Sequence, residues 1–109
     1  MTLAVWRTEA IRRFGDNPLY WRFVCPSCGH VATVRDWKDA KAPESAVAFS
    51  CVGRWLPGPV ATIFEKPGPC NYAGGGLFPL NPQEVTDDKG KSYHFFAFAD
   101  EPGEEVADA

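Results

Sequence analysis

The feature that most constrains this chain is the run Cys25, Pro26, Ser27, Cys28, Gly29, His30, with two isolated cysteines further on at Cys51 and Cys70. Two cysteines separated by two residues in a tight turn deliver two sulfurs to one point, and a tetrahedral zinc site needs four soft ligands converging there. Pro26 restrains the turn, and Gly29 lets the chain curl so that backbone amides face the sulfurs. The other half of the site is irregular. Twenty-two residues separate Cys28 from Cys51 and eighteen separate Cys51 from Cys70, so the last two ligands come from different segments. Both stand at turns, since Gly53 follows Cys51 by two, Pro69 precedes Cys70, and glycines occupy positions 74 to 76. The expected site is therefore structural Zn²⁺ held by Cys25, Cys28, Cys51 and Cys70. A redox dithiol would open a helix after a strand, whereas Gly29, His30 and Val31 continue this pair as a hairpin. A c-type haem motif requires histidine where Gly29 stands.

With 109 residues, 45% hydrophobic and 23% charged, the chain suits one globular domain, expected over residues 1–99. Residues 100–109, acidic and poor in apolar anchors, are expected to be a flexible tail. Ten glycines and ten prolines leave a modest core, for which a bound metal is a natural supplement. Trp6, Arg7, Glu9, Arg12 and Arg13 interrupt the N-terminal stretch where a secretory signal needs an apolar run, and no run reaches the roughly 20 residues that cross a bilayer. The expectation is a cytoplasmic protein without a membrane role, whose clustered cysteines hold metal rather than form disulfides.

Local signals give an α+β reading, with short helices on a small antiparallel sheet. Thr2 is placed to cap a helix in which Leu3, Trp6, Ala10 and Phe14 share a face, ended by Gly15 to Pro18. The aromatic run from Leu19 to Val24 predicts a strand entering the first cysteine, and His30 to Thr33 a return strand. Thr33, with Asp36 three residues on, offers a weak version of the capping box for a short helix bearing Val34, Trp37 and Ala40. Glu44 to Ser50 predicts one or two further helical turns. From Trp55 to Pro69 a loop is expected, with one short strand at Ala61 to Phe64. Gln83 to Thr86 and Ser92 to Ala99 flank Asp87 to Lys91 as a hairpin, with Gly90 suited to positive φ. Apolar residues on both faces place that last strand at the centre of a sheet, with Tyr93, Phe95 and Ala97 on one side and His94, Phe96 and Phe98 on the other.

Four thiolates fill a tetrahedral zinc, leaving no position for water or substrate, and no serine, histidine and acid constellation is legible. An enzyme is therefore not expected. The glycines at 74 to 76 lack the lysine and hydroxyl residue of a phosphate loop. His30 is read as a residue beside the site, and His94 as a strand residue without chemistry. Arg7, Arg12, Arg13, Arg22, Arg35, Lys38 and Arg54, interleaved with Trp21, Trp37 and Trp55, leave nucleic-acid binding as an alternative. Against it stand a net charge of −3 and an isoelectric point near 5.3. The charge is uneven, with nine basic and six acidic residues in 1–66 but two and eight in 67–109. A binding module with a protein partner is favoured. Iron in the same four thiolates, with a redox role, is a second alternative.

Taken together, the segments Phe23 to Ala32, Phe49 to Trp55 and Pro69 to Phe78 resemble a family of small zinc-binding proteins with a Cys-Pro-x-Cys-Gly knuckle, zinc-ribbon-like, found in bacterial genomes and often among phage and mobile-element genes. The resemblance runs from about Trp21 to Phe98. It implies the same ligand set, Cys25, Cys28, Cys51 and Cys70, with Gly53, Arg54, Gly76, Leu77 and Phe78 as framework positions. It implies no particular reaction.

Overall fold

Helix α1 (Leu3–Phe14) starts where the Thr2 hydroxyl accepts the Val5 amide. It stops at Gly15, which takes φ of 95° and returns its N–H to the Ile11 carbonyl. The computed structural model describes residues 1–75 and 80–99. Ala10 is wholly buried and Trp6 and Phe14 lean on the core, so the apolar stripe faces inward as its spacing requires. On the solvent side Glu9 accepts bonds from Arg12 and Arg13, whose guanidinium groups hold its carboxyl down at about 2.

The run from Leu19 to Val24 is not one strand. Asn17 and Pro18 start a 3-10 turn over Pro18–Tyr20, with the Asn17 side chain accepting the Leu19 amide, and pairing begins only at β1 (Arg22–Val24). Local capping by a polar side chain wins over aromatic strand preference there. β1 pairs antiparallel with β2 (Val31–Thr33) through Phe23 opposite Ala32. Thr33 then opens α2 (Val34–Asp39) with a full capping box, its hydroxyl taking the Asp36 amide and the Asp36 carboxylate taking the Thr33 amide.

The segment from Glu44 forms only a 3-10 turn, Glu44–Ala46, and a second such turn, Val52–Trp55, follows Cys51. The strand expected at Ala61 to Phe64 is absent. Ala61 makes an isolated bridge to Cys70, after which the Glu65 carboxylate captures both the amide and the hydroxyl of Thr62 and folds the chain into a turn.

The hairpin forms as its turn chemistry dictates, with β3 (Gln83–Thr86) against β4 (Ser92–Phe95) and Gly90 at φ of 84°. The final strand is not central. At Phe96 the chain leaves β4, the Phe96 amide donating to the Ala48 carbonyl at 2.7 Å, and β5 (Ala97–Phe98) pairs with β1 at a sheet edge. The order is β2-β1-β5 in one antiparallel sheet and β3-β4 in the other, making β1 the central strand. The break also resets the alternation, so that Phe95 and Phe98 both meet Trp6 while Phe96 is buried against Trp37 and Tyr72.

Aromatic rings fill most of the core. Trp37 is 1% exposed with its indole N–H on the Ser50 carbonyl, and Trp21 is buried with its own on the Gly15 carbonyl. The outer edge of β3 is closed by the N-terminus, where Met1 donates to the Glu84 carbonyl and accepts the Thr86 amide. The expected tail, residues 100–109, lies outside the described residues, as do Gly76, Leu77 and Phe78.

Candidate metal centre

Each cysteine is brought in by a different local device. β1 leads into Cys25, whose amide donates to the His30 carbonyl while Gly29, at φ of 78°, donates to the Cys25 carbonyl. These two bonds make the knuckle that also carries Cys28. Cys51 donates its amide to the Tyr72 carbonyl and starts the turn Val52–Trp55, with the Arg54 amide returning to the Cys51 carbonyl. Cys70 is fixed by the bridge to Ala61, the Asn71 amide donating to the Ala61 carbonyl.

All four sulfurs lie within 4.8 Å of one another. Cys25 to Cys70 and Cys28 to Cys51 are both 3.9 Å between Sγ atoms. A tetrahedron with metal–sulfur bonds of about 2.3 Å has edges of about 3.8 Å, so the four positions suit one ion. The cysteines are 0 to 3% exposed and form no disulfide. Buried thiols at these separations fit a metal better than any redox dithiol, which requires an accessible sulfur.

A regularity unites the four. The amide two residues after each cysteine points at its sulfur, from Ser27 to Cys25, His30 to Cys28, Gly53 to Cys51 and Tyr72 to Cys70. A further amide, that of Cys70, donates to Cys51 Sγ at 3.4 Å. Such donors spread the negative charge of a metal-bound thiolate set. Without a metal the protons divide unequally. Hydrogen bonding to Cys51, and then burial, push Cys25 up, and burial pushes Cys28 up to about 11. The Cys25 thiol, aided by the Gly53 and Cys70 amides, holds Cys51 down at about 5.

Close packing seals the site. A β-carbon at Gly53 would strike the Cys70 carbonyl, and one at Gly68 would strike Cys28 Sγ. Ser27, unremarked in the sequence, is 2% exposed and accepts the Phe64 amide at 2.6 Å, fastening the loop from Ala61 to Cys70 over the knuckle. Arg54 reaches the Asn71 carbonyl and lies over Trp55, which gives it a framework role next to Cys70. His30 enters through its backbone amide, and His94 stands exposed on β4, away from the four cysteines.

The fold and site define a small α+β protein with two short antiparallel sheets and a buried four-cysteine cluster able to hold a metal ion. A family model covers nearly all of it: residues 2–99 match the VVA0879-like family, and the chain belongs to that family. No curated protein and no solved structure matches the chain. Among the described residues, no helix is long and apolar enough to cross a membrane.

Proposed function

We propose that this protein is a zinc-stapled binding module that acts by contacting another protein in the cytoplasm. The observation that carries the reading is the closed cluster of four buried sulfurs, each facing an amide. Four thiolates around one ion use every tetrahedral position, so the metal holds segments together and takes no substrate. If the genomic setting of the resembling family applies, the protein travels with phage or mobile elements and its partner is a host protein.

Two alternatives are weighed against this. Nucleic-acid binding would use exposed aromatic faces beside arginine, and of the three tryptophans near basic residues Trp21 and Trp37 are buried, which leaves the half-buried Trp55 with Arg54 over its ring. Iron would suit the same thiolates and give the protein an electron-transfer role. Elemental analysis of protein purified from its natural source, with an absorption spectrum, tests the metal. One zinc per chain and no visible absorption is expected, whereas stoichiometric iron with thiolate charge-transfer bands supports the redox alternative. Retention on nucleic acid across a salt series tests the other alternative, because phosphate contacts weaken steeply with salt. Specific capture of a host protein by the metal-loaded chain tests the main reading.

A further inference from the structure

The outer edge of β4 is only partly closed. Glu84 and Thr86 bond outward to Met1, so Gln83 and Val85 face β4, and the backbone groups of their partners Phe95 and Tyr93 face β3. By alternation, Ser92 and His94 turn their backbone groups away from β3, while Phe96, just beyond β4, gives its carbonyl to Gln83 Nε2 at 2.8 Å. The Phe96 amide is taken by the Ala48 carbonyl. The His94 carbonyl is taken by Asn81 Nδ2 at 3.0 Å, which also donates to the Phe49 carbonyl at 3.1 Å. Ala48, Phe49 and the Asn81 amide thus begin a third strand position beside β4. Beyond them, among the described residues, nothing occupies that position, and the amide and carbonyl of Ser92 and the amide of His94 have no partner there.

A cleft of about 950 Å³ lies along this open edge, with Glu44 to Phe49 as its other wall and Val47, Phe49, Tyr93 and Phe95 among its lining. Lys91 stands at one end with its ammonium 5.3 Å from the Tyr93 ring and its charge felt by Asp87, and Glu44 lines the same cleft. The neighbouring Asp87 carboxylate is occupied by the Lys89 and Lys91 amides and the Tyr93 hydroxyl.

We infer that this edge is a docking site for an extended segment of a partner protein, which adds a strand beside Ser92 and His94 and lays an apolar side chain against Val47 and Phe49. The inference rests on the protein-binding reading above and names its surface. The unpaired backbone groups select another backbone, the apolar wall selects an apolar side chain, and Lys91 selects an acid at the end nearest the turn. Strands in a sheet lie about 4.8 Å apart. A single extended segment would take up one such spacing beyond Ser92 and His94, whereas the β3-β4 hairpin of a second copy would bring two strands.

The test selects binders to the metal-loaded full chain from a displayed library of random linear peptides. The expected peptides alternate apolar and polar residues, carry an acid, and slow hydrogen exchange at the Ser92 and His94 amides. Ser92→Pro removes an outward N–H that β3 does not use, a position where an edge strand tolerates proline. It should weaken the selected peptides about tenfold, the worth of one hydrogen bond at the upper end. His94→Ala, which keeps its backbone amide, should bind within about twofold of the parent. Failure to select any peptide, or selected peptides that leave the exchange of Ser92 and His94 unchanged, overturns the inference. Dimerisation that protects the same amides also overturns it. The exchange readout on the unaltered chain decides the matter if Ser92→Pro does not fold. A host protein captured equally well by a folded Ser92→Pro chain removes this surface and leaves protein binding intact, whereas failure of the metal analysis leaves the strand edge untouched.

Discussion

Gly53 lies directly against the backbone of Cys70, with no room for a β-carbon between the residue after Val52 and the Cys70 carbonyl. The contact is backbone on backbone, so neither side can yield by turning a side chain. Gly53→Ala should therefore separate Cys51 from Cys70 and cost about 3 kcal/mol, the upper part of the range for overpacking. Thermal unfolding of the metal-loaded variant, with its metal content, checks this. A melting temperature within a degree or so of the parent would show that the close approach is not needed for the site.

Removing the metal should affect some segments before others. Cys51 and Cys70 hold the loop from Ala61 and the segment at Tyr72 to the knuckle, while Trp6, Phe23 and Phe98 pack on one another elsewhere. On treatment with a strong chelator the amides of Cys51 and Asn71 should lose protection from hydrogen exchange first, and the melting temperature should fall by more than about 10 °C. Cys70→Ser should reproduce both effects. A chelated chain with unchanged melting and exchange would remove the structural role of the ion.

The four-cysteine cluster was legible because a Cys-x2-Cys knuckle fixes two positions and Cys51 and Cys70 are the remaining cysteines of the sequence. The helix starts were legible for a similar reason, since Thr2, Thr33 and Asp36 act on their own neighbours. Phe96 was not. Its departure from β4 depends on a carbonyl at Ala48, far away in sequence, and an aromatic strand residue carries no mark of which sheet it will join. The apolar stretch from Ala61 misled because Glu65, just beyond it, captures Thr62 and turns the chain. The amides two residues after each cysteine left no trace either, because any residue except proline supplies one.

Metal binding should release protons. Cys25 and Cys28 are both pushed up, Cys28 to about 11, so near neutrality each holds a proton that an incoming ion must displace. Cys51, held down at about 5, is already a thiolate there. With at least two protons displaced, the apparent affinity should fall about a hundredfold or more for each unit by which pH is lowered around neutrality. Competition against a chelator of known affinity at two pH values, corrected for the chelator's own protons, measures the slope. An affinity independent of pH would contradict the shared-proton arrangement.

Two tryptophans allow the value of one indole bond to be separated from that of the ring. Trp37 is almost fully buried and donates Nε1 to the Ser50 carbonyl at 2.9 Å. Trp6 has a buried Nε1 without a partner among the described residues, although its ring contacts Trp21, Phe23, Phe95 and Phe98. Replacing either with phenylalanine removes similar volume from the core. In Trp37→Phe the Ser50 carbonyl also loses its donor inside the protein, a further cost of about 1 to 3 kcal/mol. In Trp6→Phe the change removes a buried donor that satisfied nothing, which offsets part of the packing loss. Denaturant unfolding of the two variants should therefore place Trp37→Phe below Trp6→Phe in stability, and the reverse order would mean that the Trp37 bond contributes less than its geometry implies.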